Sequence, residues 1–294
     1  IKPYLYSLAM IDGASPCDQV LHVQRTYRLD NGQTWTPRND NHRRIGEMVS
    51  IQWGLQNSDN WVTAELMSRT SPITFKRLLE SYGLRGPIEA TMAMSLGTPE
   101  ATVGEMVSGY TTFVNDGVRV DPVLVTQIED MHGNIVATFT PKMTEVLTAD
   151  AAHKMLYMLQ NVINGGTGGR LRSSFGLQMP LGGKTGTTQN NSDAWFMGFS
   201  PDLVAGCWVG GEERSIRFNS MAFGQGAAAA LPIFGKFMKK VYSDKTLGYL
   251  VGIPFQIPPG FSPCYDAGIG DDEAVEVFEG EPSESPESSP PIDF

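Results

Sequence analysis

Residues 181–199 read LGGKTGTTQNNSDAWFMGF, and the role of Lys184 in that stretch decides what kind of protein this is. Glycines and hydroxyls around a lysine suit two different sites. In one, a phosphate sits in a glycine-rich loop that opens a helix. In the other, the lysine holds a carboxylate beside a reactive serine. A phosphate loop of the form G-x-x-x-x-G-K-[ST] needs a strand before it and a helix after it. Counting back from Gly183-Lys184, its first glycine must stand at position 178, which is Gln178; Gly176 is out of register. The run after Lys184 reads as a strand, and no G-x-G-x-x-G joins a strand to a helix. Mononucleotide and dinucleotide binding are therefore excluded.

The carboxylate reading makes definite demands. On an edge strand, Lys184-Thr185-Gly186-Thr187 would project a cation and two hydroxyls into a cleft. Thr185 and Thr187 alternate, so they share one face. Gly186 has no Cβ, which would let a substrate backbone lie against the strand. Four common residues are a weak signal alone, and two other places strengthen it. Ser58-Asp59-Asn60 in LQNSDNW reads by itself as a helix cap or Asx turn. Lys2 precedes Pro3 at the start of an apolar helix, IKPYLYSLAM, and by itself reads as an exposed terminal lysine. Because proline is tolerated only in a helix's first turn, this helix is expected to begin just upstream of Ile1. A serine at S-x-x-K spacing would then lie two residues before Ile1, one turn from Lys2 on the same face, near the positive end of the helix dipole.

Around these points the chain organises as α+β. Residues 14–44 are polar and turn-rich. Residues 45–67 read as helical with a break at QNSDN, and 72–82 as a helix opened by a proline. In 100–117, Val103, Met106, Val107, Tyr110, Phe113 and Val114 fall on one helical face, with Gly117 as the stop. A hairpin is expected over 122–140 with its turn at MHGN, and a second strong helix over 149–164. After GGTGGR come strand-like runs near 182–188, 193–199 and 203–210, joined by short turns, which predicts an antiparallel sheet. A helix near 226–242, with Pro232 marking its first turn or kinking it, closes the order. Helices first, antiparallel strands late and a closing helix favour α+β over a doubly wound parallel fold.

The net charge of -10 is carried mainly by residues 271–294, which hold nine acidic and no basic residues; the rest has 23 acidic against 22 basic. There is no basic surplus for nucleic acid, and the acidic stretch reads as a solvated, disordered tail. No apolar run approaches the ~20 residues of a membrane span. Cys207 in VAGCWVG reads as a small buried hydrophobe. Cys17 and Cys264 both sit in SPC loops; whether they pair depends on the compartment. His22, His42, His132 and His153 have no metal spacing and read as surface or loop histidines.

Taken together, the literal S-D-N and K-T-G, with the tail of an S-x-x-K at Lys2, form the signature of penicillin-binding proteins and class A β-lactamases. IKPYLYSLAM, TWTPRN, GGTGGRLR, GGKTGTTQNNSDAWFMGFSP and GCWVGG resemble the transpeptidase module of class A, bifunctional penicillin-binding proteins over roughly residues 1–245. A C-terminal extension (246–270) and the acidic tail (271–294) lie beyond the resemblance.

The resemblance implies the fold of that family, an antiparallel sheet flanked by helices, and acyl transfer at D-Ala-D-Ala stem peptides to cross-link peptidoglycan, with covalent inhibition by β-lactams. It implies Lys2 as general base, Ser58 as proton relay, Asn60 as a ligand of the substrate carbonyl, and Lys184 with Thr185 and Thr187 as the carboxylate site. Gly186 and Thr188 complete the substrate strand. Lys184 would help keep Lys2 neutral. No metal or cofactor is implied. The implied setting is the bacterial cell envelope, on the periplasmic face of the inner membrane, with a glycosyltransferase domain and an anchor upstream. The chain starts inside S-x-x-K, so this segment alone is expected to be inactive. A D,D-carboxypeptidase and a non-catalytic peptidoglycan-binding module remain open alternatives. A β-lactamase is disfavoured, because Glu65, Glu80, Glu89, Glu100 and Glu105 sit in no recognisable deacylation loop.

Overall fold

The computed structural model describes residues 1–29 and 31–264; the acidic tail expected over 271–294 lies outside the described residues. Helix α1 (Lys2–Ile11) has Pro3 in its first turn and buries Pro3, Tyr4, Leu5, Tyr6, Ser7, Leu8 and Met10. A helix apolar on nearly every side belongs in a core, and α1 packs there against helices from later in the chain. Two short antiparallel pairs follow: β1 (Gln19–Leu21) with β4 (Met48–Ser50), and β2 (Tyr27–Arg28) with β3 (Thr34–Trp35). The first pair corrects the sequence reading of 45–67. Residues 48–50 form a strand because they zip onto β1. Ser50 then caps α2 (Ile51–Gln56), its hydroxyl accepting from Trp53 N–H.

The expected break at QNSDN separates α2 from α3 (Asn60–Ser68), and α4 (Pro72–Ser81) follows a Ser71 cap. After a 3₁₀ turn at Met92–Leu96, α5 (Val103–Thr111) begins with a reciprocal capping box between Thr102 and Glu105. It ends six residues short of Gly117, because residues 112–114 tighten into i→i−3 hydrogen bonds. Gly117 has another use. It takes φ +90 and passes so close to Leu147 that an added Cβ would stand 2.1 Å from that residue's carbonyl oxygen.

Strand β5 (Val118–Val120), the hairpin β6 (Gln127–Glu129) and β7 (Ile135–Thr138), and β8 (Met143–Glu145) come next, with β5 paired to β8. Then follow α6 (Ala149–Gly165), the short α7 (Arg170–Ser173), and β9 (Gly182–Thr187), β10 (Asp193–Phe199) and β11 (Val204–Gly210). These three strands form one antiparallel sheet in the order β11-β10-β9. Two short helices, α8 (Met221–Gly224) and α9 (Gly226–Ala229), lead to α10 (Leu231–Ser243), whose first turn holds Pro232.

The sheet is buried on both faces, as alternation along β10 dictates. Met197 and Phe199 join the helical core around α1, with Trp195 packed against it. Ala194 and Phe196 point the other way, into a second core with Leu231, Phe234 and Met238 of α10. Phe196 and Phe234 lie 4.8 Å apart, centre to centre. Each such ring removes enough apolar surface to contribute about 2–3 kcal/mol. Phe255 rests on Phe199, and Cys264 is disulfide-bonded to Cys17 with a Cα separation of 5.5 Å, tying this end of the described chain to the segment after α1. Cys207 is half-buried, and burial pushes its thiol pKa up. Two histidines depart from the surface reading: His22 is wholly buried and His153 nearly so, because each has a carboxylate partner, Asp59 and Asp116.

Candidate active site

The site forms where the start of α1, the α2–α3 turn and the strand β9 converge. Lys2 donates to the carbonyl of Ser58 at 2.6 Å and to Asn60 Oδ1 at 2.6 Å, with Ser58 Oγ at 3.4 Å. Lys184, 4% exposed, reaches the same hydroxyl from the sheet: its Nζ lies 2.8 Å from Ser58 Oγ and 2.9 Å from the Thr185 carbonyl. One serine oxygen is thus shared by two amines from opposite walls.

The α2–α3 turn holds that oxygen by an unusual backbone. Ser58 has φ +57, a left-handed conformation that costs a non-glycine residue on the order of 1 kcal/mol. It persists because its neighbours are fixed. Asp59 Oδ1 accepts from the N–H groups of Trp61 and Val62, capping α3. Asn60 N–H donates to Asn39 Oδ1 and Asn60 Nδ2 donates to the Arg38 carbonyl. The helix-cap reading of S-D-N therefore holds, and the same three residues carry the candidate site.

Strand β9 is the edge of its sheet. Its register sets Thr185 opposite Phe196 and Thr187 opposite Ala194. The Thr185 hydroxyl shares a 2.8 Å bond with Thr167, and Thr187 Oγ1 accepts from Gly226 N–H. Thr188 is turned into the β9–β10 connection, bonded to Ser192 and Asp193. At Gly186 an added Cβ would meet Trp195 Cβ of β10 at 3.0 Å.

Burial sets the protonation of both amines. Desolvation lowers the Lys2 pKa to about 8, while Asp59 and Asp40 pull it upward. The Lys184 pKa is lowered as well, first by burial and then by the charge of Lys2. An arriving anion would favour the charged form of either amine.

Lys2, Ser58, Asn60, Lys184 and Thr185 are thus gathered in one place, with Gly186 and Thr187 further along the same strand and Thr188 engaged elsewhere. Sequence reasoning missed Asn39, His22 and Thr167. Asn39 and Thr167 lay inside stretches noted for their resemblance, TWTPRN and GGTGGRLR, but no spacing rule marks them. Among the described residues no grouping of three His, Cys, Asp or Glu could hold a metal ion, and no helix is long and apolar enough to cross a membrane.

Known proteins resemble this chain in sequence and fold. Penicillin-binding protein 1A of Neisseria gonorrhoeae is 28% identical over 252 residues, covering 83% of this chain and 31% of its own length. The Aquifex aeolicus protein of the same name is 30% identical over 245 residues, with 82% and 32% covered. The chain thus spans about a third of the length of the curated relatives it matches. Among solved structures, penicillin-binding protein 1A of Haemophilus influenzae superposes with a TM-score of 0.77 at 23% identity, covering 88% of this chain and 43% of that one. Penicillin-binding protein A of M. tuberculosis, solved as an imipenem acyl-enzyme complex, superposes at 0.66 with 18% identity over 81% and 58%. Both share the fold. The family model of the penicillin-binding protein transpeptidase domain matches residues 1–209, and the chain belongs to that family.

Proposed function

We propose that the chain is the acyl-transfer domain, residues 1–245, of a peptidoglycan D,D-transpeptidase of the class A type, acting in the bacterial cell envelope on its periplasmic side. The observation that carries this reading is the position of Ser58 Oγ between Lys2 and Lys184. The nucleophile is a serine two residues before Ile1. Its hydroxyl proton passes to neutral Lys2 as Oγ bonds to the carbonyl carbon of the penultimate D-alanine. Ser58 relays that proton to the departing D-alanine nitrogen as the C–N bond breaks. An amine from a second stem peptide then attacks the ester, its proton returns through the same groups, and the serine is released with a new cross-link. Asn60 holds the donor's peptide carbonyl. Lys184, Thr185 and Thr187 hold the terminal carboxylate, beside Gly186 and Thr188. The Thr187 N–H, with that of the serine, stabilises the oxyanion.

The free edge of β9 supports this reading, since an extended peptide can add to it as a strand. The Cys17–Cys264 bond supports an oxidising compartment. The same chemistry accepts β-lactams, and an upstream glycosyltransferase domain would make the whole protein bifunctional.

The test is intact-mass analysis after exposure to benzylpenicillin, of the protein extended upstream through the serine and of residues 1–294. A stable adduct on the extended protein alone, lost when that serine is replaced, is the expected result. No adduct on either favours a binding module, and release of D-alanine without cross-linking favours a carboxypeptidase.

A further inference from the structure

Beneath the α2–α3 turn lies a buried polar cluster that the reaction just described does not use. His22, immediately after β1, is fully buried, as is Asp59; Asn39 is 8% exposed. Their hydrogen bonds constrain where the protons sit. His22 Nδ1 faces the carbonyl oxygen of Arg44 at 3.1 Å. A carbonyl only accepts, so Nδ1 carries a hydrogen. His22 Nε2 faces Asp59 Oδ2 at 2.9 Å. Asn39 Oδ1 is committed to Asn60 N–H, which turns its Nδ2 toward Asp59 Oδ2, at 2.7 Å, and the Asn41 carbonyl. Asn39 Nδ2 is also 3.4 Å from His22 Nε2. A bare Nε2 accepting that long contact would set its lone pair against a carboxylate oxygen 2.9 Å away. A proton therefore lies between His22 Nε2 and Asp59 Oδ2.

The surroundings favour such a pair. The imidazole is enclosed by Trp53 and Trp61, with ring centres 5.1 and 5.0 Å away and interplanar angles of 67° and 46°. Both oxygens of Asp59 are then saturated: Oδ1 by two backbone N–H groups of α3, Oδ2 by His22 and Asn39. Asp59 is therefore fully engaged within the protein.

Resting on the transpeptidase reading above, we infer that His22 and Asn39 are positioning residues for the acyl-transfer step. They lock Asp59, and through it the left-handed Ser58 and the side chain of Asn60, at the distances from Lys2 and Lys184 that proton transfer needs. Neither touches the reacting atoms. His22 brings the β1 segment, and Asn39 the loop after β3, to bear on the turn from below. Misplacement of catalytic groups by ~1 Å can cost on the order of 10²-fold in rate.

The experiment uses the protein extended upstream through the serine and a fluorescent penicillin, separating the first-order acylation constant from the dissociation constant of the preceding complex. Acylation by the unsubstituted protein is the control; its failure would sink the transpeptidase reading itself. Given that control, His22→Ala and Asn39→Ala are each expected to lower the acylation constant ~10- to 100-fold, with the dissociation constant changed far less. His22→Gln, which places an N–H where Nε2 stood, is expected to recover most of the loss. Unchanged acylation in folded His22→Ala or Asn39→Ala overturns the inference, as does a loss confined to binding. Should His22→Ala not fold, a proton NMR measurement on the unsubstituted chain decides. A slowly exchanging downfield resonance, abolished by His22→Gln and by Asp59→Asn, is expected; its absence means no proton is shared and the inference fails.

Discussion

The Nζ of Lys184 lies 2.8 Å from Ser58 Oγ, although 126 residues separate the two in sequence. The contact joins the edge strand of the sheet to the turn between two helices. Ser58 reaches it with φ +57, so the serine's backbone is strained for the sake of where its oxygen points. Ser58→Gly should therefore separate stability from activity. Glycine accepts this conformation without the Cβ cost, so the melting temperature is expected to hold or rise. The acylation rate of the extended protein is expected to fall by ~10²-fold or more with loss of the proton relay. Calorimetry and penicillin kinetics on the same preparation check both halves.

Lys2, with its pKa lowered to about 8 by burial, gives a pH prediction for activity. Only the neutral amine accepts the serine proton, so acylation should rise as pH climbs through about 8. A profile already flat below pH 7 would show that Lys2 is not the base.

The same depressed pKa has a consequence for stability, with a sign that can be worked out. The folded pKa, about 8, lies below the ordinary 10.5. Between these values the unfolded chain binds more protons than the folded one, so stability rises with pH in that window. Compared with Lys2→Met, which cannot titrate, the unsubstituted chain should gain up to about 3 kcal/mol between pH 8 and 10.5. Paired urea titrations of the two proteins at each pH read out the difference.

Gly226 donates its N–H to Thr187 Oγ1, and an added Cβ would stand 2.4 Å from the carbonyl oxygens of both Gly186 and Trp195. Those are backbone atoms and cannot swing aside. Gly226→Ala should therefore lift α9 off the sheet, costing about 1–3 kcal/mol and weakening penicillin binding. Thermal denaturation and binding measurements would both register it.

Reduction of Cys17–Cys264, which closes a span of 247 residues, should lower stability by about 2–5 kcal/mol. Cys264→Ser should reproduce the effect and be insensitive to dithiothreitol, as followed by thermal melts with and without reductant.

Local chemistry made much of this protein legible in the sequence. Alternation in GGKTGT and DAWFMGF specified two adjacent strands, and the 3.6-residue period specified α6. Pro3, Pro72 and Pro232 each stand in a helix's first turn, where only a proline's position is needed to read the boundary. Lys2, Ser58, Asn60 and Lys184 were visible because they stand in short motifs that resemble those of the family. What the sequence left open depends on contacts between distant segments. Residues 48–50 read as helix until β1 is there to pair with them. His22 reads as a loop histidine until Asp59, 37 residues later, is folded against it. Whether Cys17 met Cys264 depended on bringing together segments 247 residues apart. The balance between Lys2 and Lys184 likewise depends on how deeply each amine is buried. Desolvation and long-range hydrogen bonding are properties of an enclosed volume, and only the tertiary structure encloses one.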